Sequence, residues 1–400
     1  MQLRTLAAVL AVAVMTPATA QDLATRMATE SHVPDVSRTG RFGVEVDALT
    51  FFKDNEFGSE HARGYTLPGV RLQPTVSYQP LPQVRLQAGF NALIYDGAGK
   101  YPCYAYHDIG RWKGNQYQRG AHVLPFFRVQ AQMGCVQVVM GNIFGGANHR
   151  LLEAIYNPEV NLTQDPEAGF QLMVDASRYR MDAWVAWQSY IFEEDTHQEA
   201  FTIGVSQRIA LTDTARRWHA YIPVDVLAQH RGGEQDITDM GVQTLVNGAV
   251  GAGLRWRAGS RLLRTLTAEA ALLGSWQQSG HLWPFDTGWG GSVDIGADLS
   301  GGFHLKAGFM AARRFAALYA VPFHSTVSQK HEGARYSHTA VPHVALEWCR
   351  AFADDYQFGV KLDAYPTHSG RLTMADGTTM PAAWHANFAF GAYMRCRPRW

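Results

Sequence analysis

The sequence predicts an all-β protein, a transmembrane antiparallel up-and-down β-barrel of about 16 strands. Three observations predict it. Side-chain polarity alternates with period two through sixteen segments, the connections between them alternate long and short, and no apolar run is long enough for a membrane helix.

A strand with one face on lipid carries an apolar side chain at every second position and leaves the positions between free to be polar. The clearest case is Val84–Ile94, where Val84, Leu86, Ala88, Phe90, Ala92 and Ile94 are apolar and Arg85, Gln87, Gly89 and Asn91 lie between them. The same rhythm runs through residues 41–52, 70–78, 122–133, 170–176, 201–209, 218–229, 245–256, 266–276, 289–299, 303–315, 340–348, 358–365 and 388–400, and more weakly through 136–144 and 181–191. A soluble sandwich or propeller would show the same alternation, so the connections decide. Those at 53–63, 97–120, 145–166, 193–198, 232–241, 277–288, 316–336 and 367–385 are long. Those at 79–83, 134–135, 177–178, 212–217, 257–261, 300–302 and 353–355 are mostly short. Outer loops and periplasmic turns of a barrel with both termini in the periplasm give this pattern, whereas Greek-key connections do not.

The first residues carry Arg4, an apolar run from Leu6 to Met15, and Thr16-Pro-Ala-Thr-Ala20 ahead of Gln21. Residues 1–20 therefore read as a secretory signal peptide, 21–40 as a periplasmic N-terminal segment and 41–400 as the barrel. A membrane helix needs about 18 consecutive apolar residues, so the exported chain is expected to cross with strands in the bacterial outer membrane. The 11 Trp, 16 Tyr, 20 Phe and 38 Gly suit strands, turns and interfacial girdles. Zero formal net charge gives no sign of a nucleic-acid partner. Of the cysteines, Cys103 falls in an outer loop and Cys135 in an inner turn, while Cys349 and Cys396 lie on opposite faces of strands separated by a third. Four free thiols are expected.

The chain closes with Asn387-Phe-Ala-Phe-Gly-Ala-Tyr-Met-Arg-Cys-Arg-Pro-Arg-Trp400. This resembles bacterial outer-membrane β-barrels of the porin type, many of which end in an alternating strand and a terminal aromatic. Phe388, Phe390, Ala392, Met394 and Trp400 share one parity, and Arg397-Pro398-Arg399 departs from the pattern. The resemblance implies contact with outer-membrane lipids and lipopolysaccharide, delivery by the barrel-assembly machinery, and compatibility with a homo-oligomer.

If alternate residues face lipid, the others face the lumen. Those positions hold Glu45, Asp47, Asp175, Asp182, Asp225, Glu269, Asp294, Asp298, Glu347 and Asp363, with Arg85, Arg128, Arg208, Arg255, Lys306 and Lys361. An Arg or Lys facing lipid at mid-membrane costs about 2–4 kcal/mol, which favours the interior. There the charges either pair across the wall or line a mildly cation-preferring pore.

Gly141-Asn-Ile-Phe-Gly-Gly-Ala-Asn-His-Arg-Leu-Leu-Glu153 is the most distinctive segment, because two glycines permit a sharp turn before Asn148, His149, Arg150 and Glu153. It reads as a structured loop, with constriction of the lumen or ligand contact as the functional alternative. Catalysis at His149 would need an oriented Ser, and none is near in sequence. Glu193-Glu-Asp195 with His197 reads as a solvated loop tip, since its spacing fits no calcium loop. Gly248, Gly251 and Gly253 lie inside a strand pattern with no Lys-Ser/Thr following, so they read as packing positions. The aromatic outer loop Tyr101–Lys113 suits the membrane interface, or stacking on sugar rings.

The function expected from these features is a passive or selective channel for small polar solutes, with no enzymatic activity, cofactor or metal. A barrel whose outer loops bind a partner protein or surface glycan is the first alternative, and an outer-membrane lipid- or glycan-modifying enzyme is the second. The register predicts that Phe390→Asp impairs insertion and that Asn387→Asp is tolerated.

Overall fold

The computed structural model describes Leu23, Met27, residues 29–96 and residues 119–400, apart from 31, 163, 195, 234–236, 238, 240 and 354. Residues 1–20, expected to be a signal peptide, Cys103 and the aromatic loop Tyr101–Lys113 lie outside the described residues.

Sixteen strands of the described chain form the barrel wall: β1 (Phe42–Phe57), β2 (Tyr65–Leu81), β3 (Val84–Asp96), β4 (Arg119–Met133), β5 (Val136–Asn142), β6 (Ala168–Asp175), β7 (Tyr179–Ser189) and β8 (Ala200–Ala210) make one half. The other half is β9 (Trp218–Arg231), β10 (Gln243–Arg257), β11 (Leu263–Ser279), β12 (Thr287–Leu299), β13 (Phe303–Arg313), β14 (Thr339–Ala353), β15 (Tyr356–Ala364) and β16 (Asn387–Cys396). Each strand pairs antiparallel with its neighbours in sequence, and β1 closes on β16 from Ala48↔Cys396 to Phe57↔Asn387. The predicted all-β barrel and its outer-membrane location hold. The seam continues past Cys396: after Arg397 the chain returns to β1, where Trp400 N–H donates to Val44 O at 2.9 Å and Val46 N–H to Pro398 O at 3.2 Å. The Arg-Pro-Arg break is thus a bend in the closing pair, and Arg395 and Arg397 both bond Asp47.

Alternation sorts the two faces. Leu272, Phe309, Val293, Val250 and Met140 are exposed on the outer wall. The stacked Trp218 and Trp256 mark its turn-side edge, while Trp276 and Trp289 lie towards the loop side, where amphipathic rings suit the headgroup level. Glycine has a clear packing role at Gly204, where a Cβ would come within 2.1 Å of the Trp184 ring. Cys135, Cys349 and Cys396 are in no disulfide among the described residues.

The interior holds three inserts. From the turn side comes the N-terminal segment: Leu23 N–H donates to Glu347 Oε1 at 2.9 Å, and Thr29 O accepts from Arg395 at 3.0 Å. From the loop side comes the β5–β6 connection, residues 143–167, with short 3-10 turns at Gly146–His149 and Pro158–Leu162. The β13–β14 connection, expected as an outer loop, also folds inwards. Phe315, Ala317, Tyr319, Ala320 and Phe323 are buried, because this apolar run cannot remain in water and the lumen offers Ile155, Tyr156, Met310 and Tyr365 to cover it. Above it a small sheet joins Arg335–Tyr336, Leu372–Thr373 and Thr379–Met380.

Candidate functional site

The inserted β5–β6 connection is anchored residue by residue. Arg128 on β4 donates to Asn142 O at 2.6 Å and Ile143 O at 3.1 Å, while its guanidinium lies 3.9 Å from the centre of the Phe144 ring. Gln171 on β6 accepts from Phe144 N–H at 2.9 Å and donates back to Phe144 O at 3.1 Å. Gly146 has φ +61°, and a Cβ there would lie 1.7 Å from Asn161 Oδ1, so glycine is required twice over.

The four residues singled out in this loop have separate contacts. Asn148 Oδ1 accepts from Glu30 N–H at 2.7 Å. His149 is 2% exposed, stacks 3.4 Å from the Trp184 ring centre, and places Nδ1 2.8 Å from Asp182 and Nε2 2.9 Å from Glu167. Arg150 takes a left-handed conformation, and its carbonyl accepts from Arg208 at 3.0 Å. Glu153 accepts from Lys306 Nζ at 2.8 Å.

Burial alone would discharge His149, but Asp182 and Glu167 outweigh it and raise the imidazole pKa to about 9. Both ring nitrogens then donate, which leaves no lone pair to take a proton from water or a hydroxyl. His149 is therefore a structural imidazolium locking the loop to β7 through Asp182 and to its own far end through Glu167.

The predicted lumen positions Glu45, Asp47, Arg85, Arg128, Asp175, Asp182, Arg208, Asp225, Arg255, Glu269, Asp294, Lys306, Glu347, Lys361 and Asp363 all share the inward parity of their strands. Most are engaged with one another or with the inserts. Arg85 pairs with Glu45, Arg208 with Asp225 at 2.8 Å, Lys361 with Asp363 at 3.1 Å and Arg128 with Glu30 at 2.9 Å. Glu269 accepts from Tyr221 Oη at 2.7 Å.

A different imidazole meets the requirements of a general base. His122 points inwards near the loop-side end of β4, and its Nδ1 lies 3.3 Å from Asp165 Oδ1 at the end of the β5–β6 insert. Its Nε2 has no hydrogen-bond partner among the described residues. Asp165 also lines a small polar cavity with Arg71, Gln73, Asn91 and Asn161. Within it the Asn161 Nδ2 donor is buried and unpartnered, and Arg71 donates to Asn161 O only at 3.5 Å. A base oriented by a carboxylate that also lines a cavity with unspent donors is an arrangement acyl transfer can use. Sequence reasoning missed these residues; the available signal was a histidine on the inward parity of a strand beside a long connection.

Other pairs fit less well. His281–Asp286 is largely solvent-facing, His331 shares Glu60 with Lys330, and His304 and His343 are buried. Among the described residues no group of three His, Cys, Asp or Glu side chains could hold a metal, and His197 Nε2 instead meets Tyr190 O at 2.9 Å.

The sequence model of a family described as Lipid A 3'-O-deacylase-type matches residues 34–400. That match overturns the expectation that the chain is not an enzyme. Among curated proteins none matches this sequence. Similar solved structures include OccAB4 of Acinetobacter baumannii (7% identity, TM-score 0.48, covering 91% of this chain and 100% of that one). OccK1 of Pseudomonas aeruginosa is 10% identical, with a TM-score of 0.46 over 90% of this chain and 100% of its own. OmpT, an outer membrane protein of Vibrio cholerae, is 11% identical, with a TM-score of 0.44 over 90% and 98%.

Proposed function

The chain belongs to the Lipid A 3'-O-deacylase-type family, and on that premise we propose that it is an outer-membrane hydrolase removing an ester-linked acyl chain from a lipid A-class glycolipid. The observation that carries the reading is the His122–Asp165 pair, a half-buried imidazole with one nitrogen on a carboxylate and the other unengaged among the described residues.

In this reading His122 Nε2 takes a proton from water as the water oxygen bonds to the ester carbonyl carbon. Asp165 orients the ring and stabilises the imidazolium that forms. The carbonyl oxygen gains negative charge, and the Asn161 amide and Arg71 guanidinium are the donors placed to receive it. Collapse breaks the carbon–oxygen bond to the sugar, His122 returns the proton to the departing alkoxide, and a fatty acid and a free hydroxyl result. The filling of the lumen by three inserts, and the mutual pairing of its charges, supports an enzyme scaffold over a passive channel.

The test is lipid A mass. Outer membranes carrying the chain should contain lipid A lighter by one acyl group, and His122→Ala should abolish the change in a barrel that still folds. Loss of a general base typically costs about 10²–10⁴-fold in rate. Asp165→Asn should retain a small residue of activity, because the base survives without its orienting charge.

A further inference from the structure

We propose that the turn-side mouth of the barrel is a binding site for a small organic anion, a carboxylate or phosphate on an apolar body, that enters from the periplasm. A vestibule of about 690 Å³ opens there, bounded by the β4–β5, β6–β7 and β8–β9 turns and the start of the lumen. That volume lies within the range of about 300–1,000 Å³ usual for small-molecule sites.

Its charge is one-sided. Arg178, Arg180, Arg208, Arg255 and Arg257 line it, against Asp175 as the acid. Asp175 is held by Arg180 at 3.1 Å, and Arg208 is neutralised by Asp225 at 2.8 Å. The other three have no ion pair among the described residues. Arg257 donates to Ala215 O at 3.1 Å and Thr214 O at 3.2 Å, and Arg255 to Thr214 O at 3.1 Å. Carbonyl oxygens satisfy donors without cancelling charge.

Arg255 carries the inference. It is 4% exposed and its Nε is buried without a partner, on the vestibule wall beside Arg257. The buried Arg255 guanidinium and the exposed Arg257 guanidinium beside it repel, and an anion reaching both relieves the repulsion while bonding an unspent donor. Met173, Tyr179 and Tyr221 supply apolar surface for the body of the ligand. Because these side chains face inwards, the ligand is a solute from the periplasm and not a lipid reaching in through the wall. The vestibule shares no lining residue with the polar cavity at Asp165, so the inference does not depend on the proposed hydrolase.

The full chain in nanodiscs of zwitterionic lipid, titrated calorimetrically with 1-naphthyl phosphate, tests this. One molecule should bind, high salt should weaken it, and neutral 1-naphthylmethanol should give no matching site. Arg255→Gln should weaken binding about tenfold, the usual scale for loss of one charge-assisted hydrogen bond. Arg178→Gln, at an exposed position whose side chain has no ion pair among the described residues, should fold normally and weaken binding less. Equal binding of phosphate and alcohol, no binding by the wild-type chain, or unchanged affinity in both variants would overturn the proposal.

Discussion

His149 shows how a single side chain is set by its surroundings. Its pKa is about 9 when folded, above the ordinary 6.5, so its contribution to stability is fully present below pH 6.5 and is lost as pH rises through about 9. Hydrogen exchange of residues 143–167, corrected for intrinsic rate, should therefore accelerate between those two values, and His149→Gln should remove that pH dependence. A flat profile in the wild-type chain would mean that the two carboxylates do not hold the ring charged. Gly146→Ala should destabilise the same loop by at least about 1 kcal/mol, measured by its susceptibility to protease, because the residue is left-handed and faces Asn161. The sequence made this loop conspicuous through its glycines and the polar cluster after them. It did not show that Glu167 and Asp182 would meet both imidazole nitrogens, since one follows His149 by 18 residues and the other lies a strand further on.

Strands were the most legible elements. Period-two polarity and the alternation of connection length locate all sixteen, because the lipid on one side penalises any slip of register. Observed strands run longer towards the loop side, as in β1 to Phe57 and β2 from Tyr65, where polar residues such as Asp54 and Thr66 hide the rhythm while still pairing. Leu272, 71% exposed near the middle of β11, provides the test of the outer face. Leu272→Arg should cost about 2–4 kcal/mol in folding into lipid vesicles, and the nearer-rim Phe390→Asp should cost less. The expected tolerance of Asn387→Asp does not survive the contacts. Asn387 Nδ2 donates to Tyr365 O at 3.1 Å and Thr367 Oγ1 at 3.0 Å, so a carboxylate would set oxygen against a carbonyl in a buried place. Loops were less legible, since whether a connection stays outside or folds into the lumen depends on what the far wall presents. The apolar run 315–323 was the available clue.

At the scale of the whole molecule, a barrel of this circumference can hold an aqueous channel, and this one holds folded chain. In planar bilayers the full-length protein should give no steady conductance steps of the porin kind; such steps would restore the channel reading. The same inserts that occupy the lumen bring Asp165 to His122 and Asn161 to Arg71, so filling the lumen and assembling the candidate site are one structural event. Hydrolysis at His122 is decided by the mass of lipid A from outer membranes carrying the wild-type chain or His122→Ala. Loss of one acyl group with the wild-type chain, and unchanged lipid A with a folded His122→Ala barrel, is the predicted result. Unmodified lipid A in both, or equal deacylation by both, would contradict the assignment.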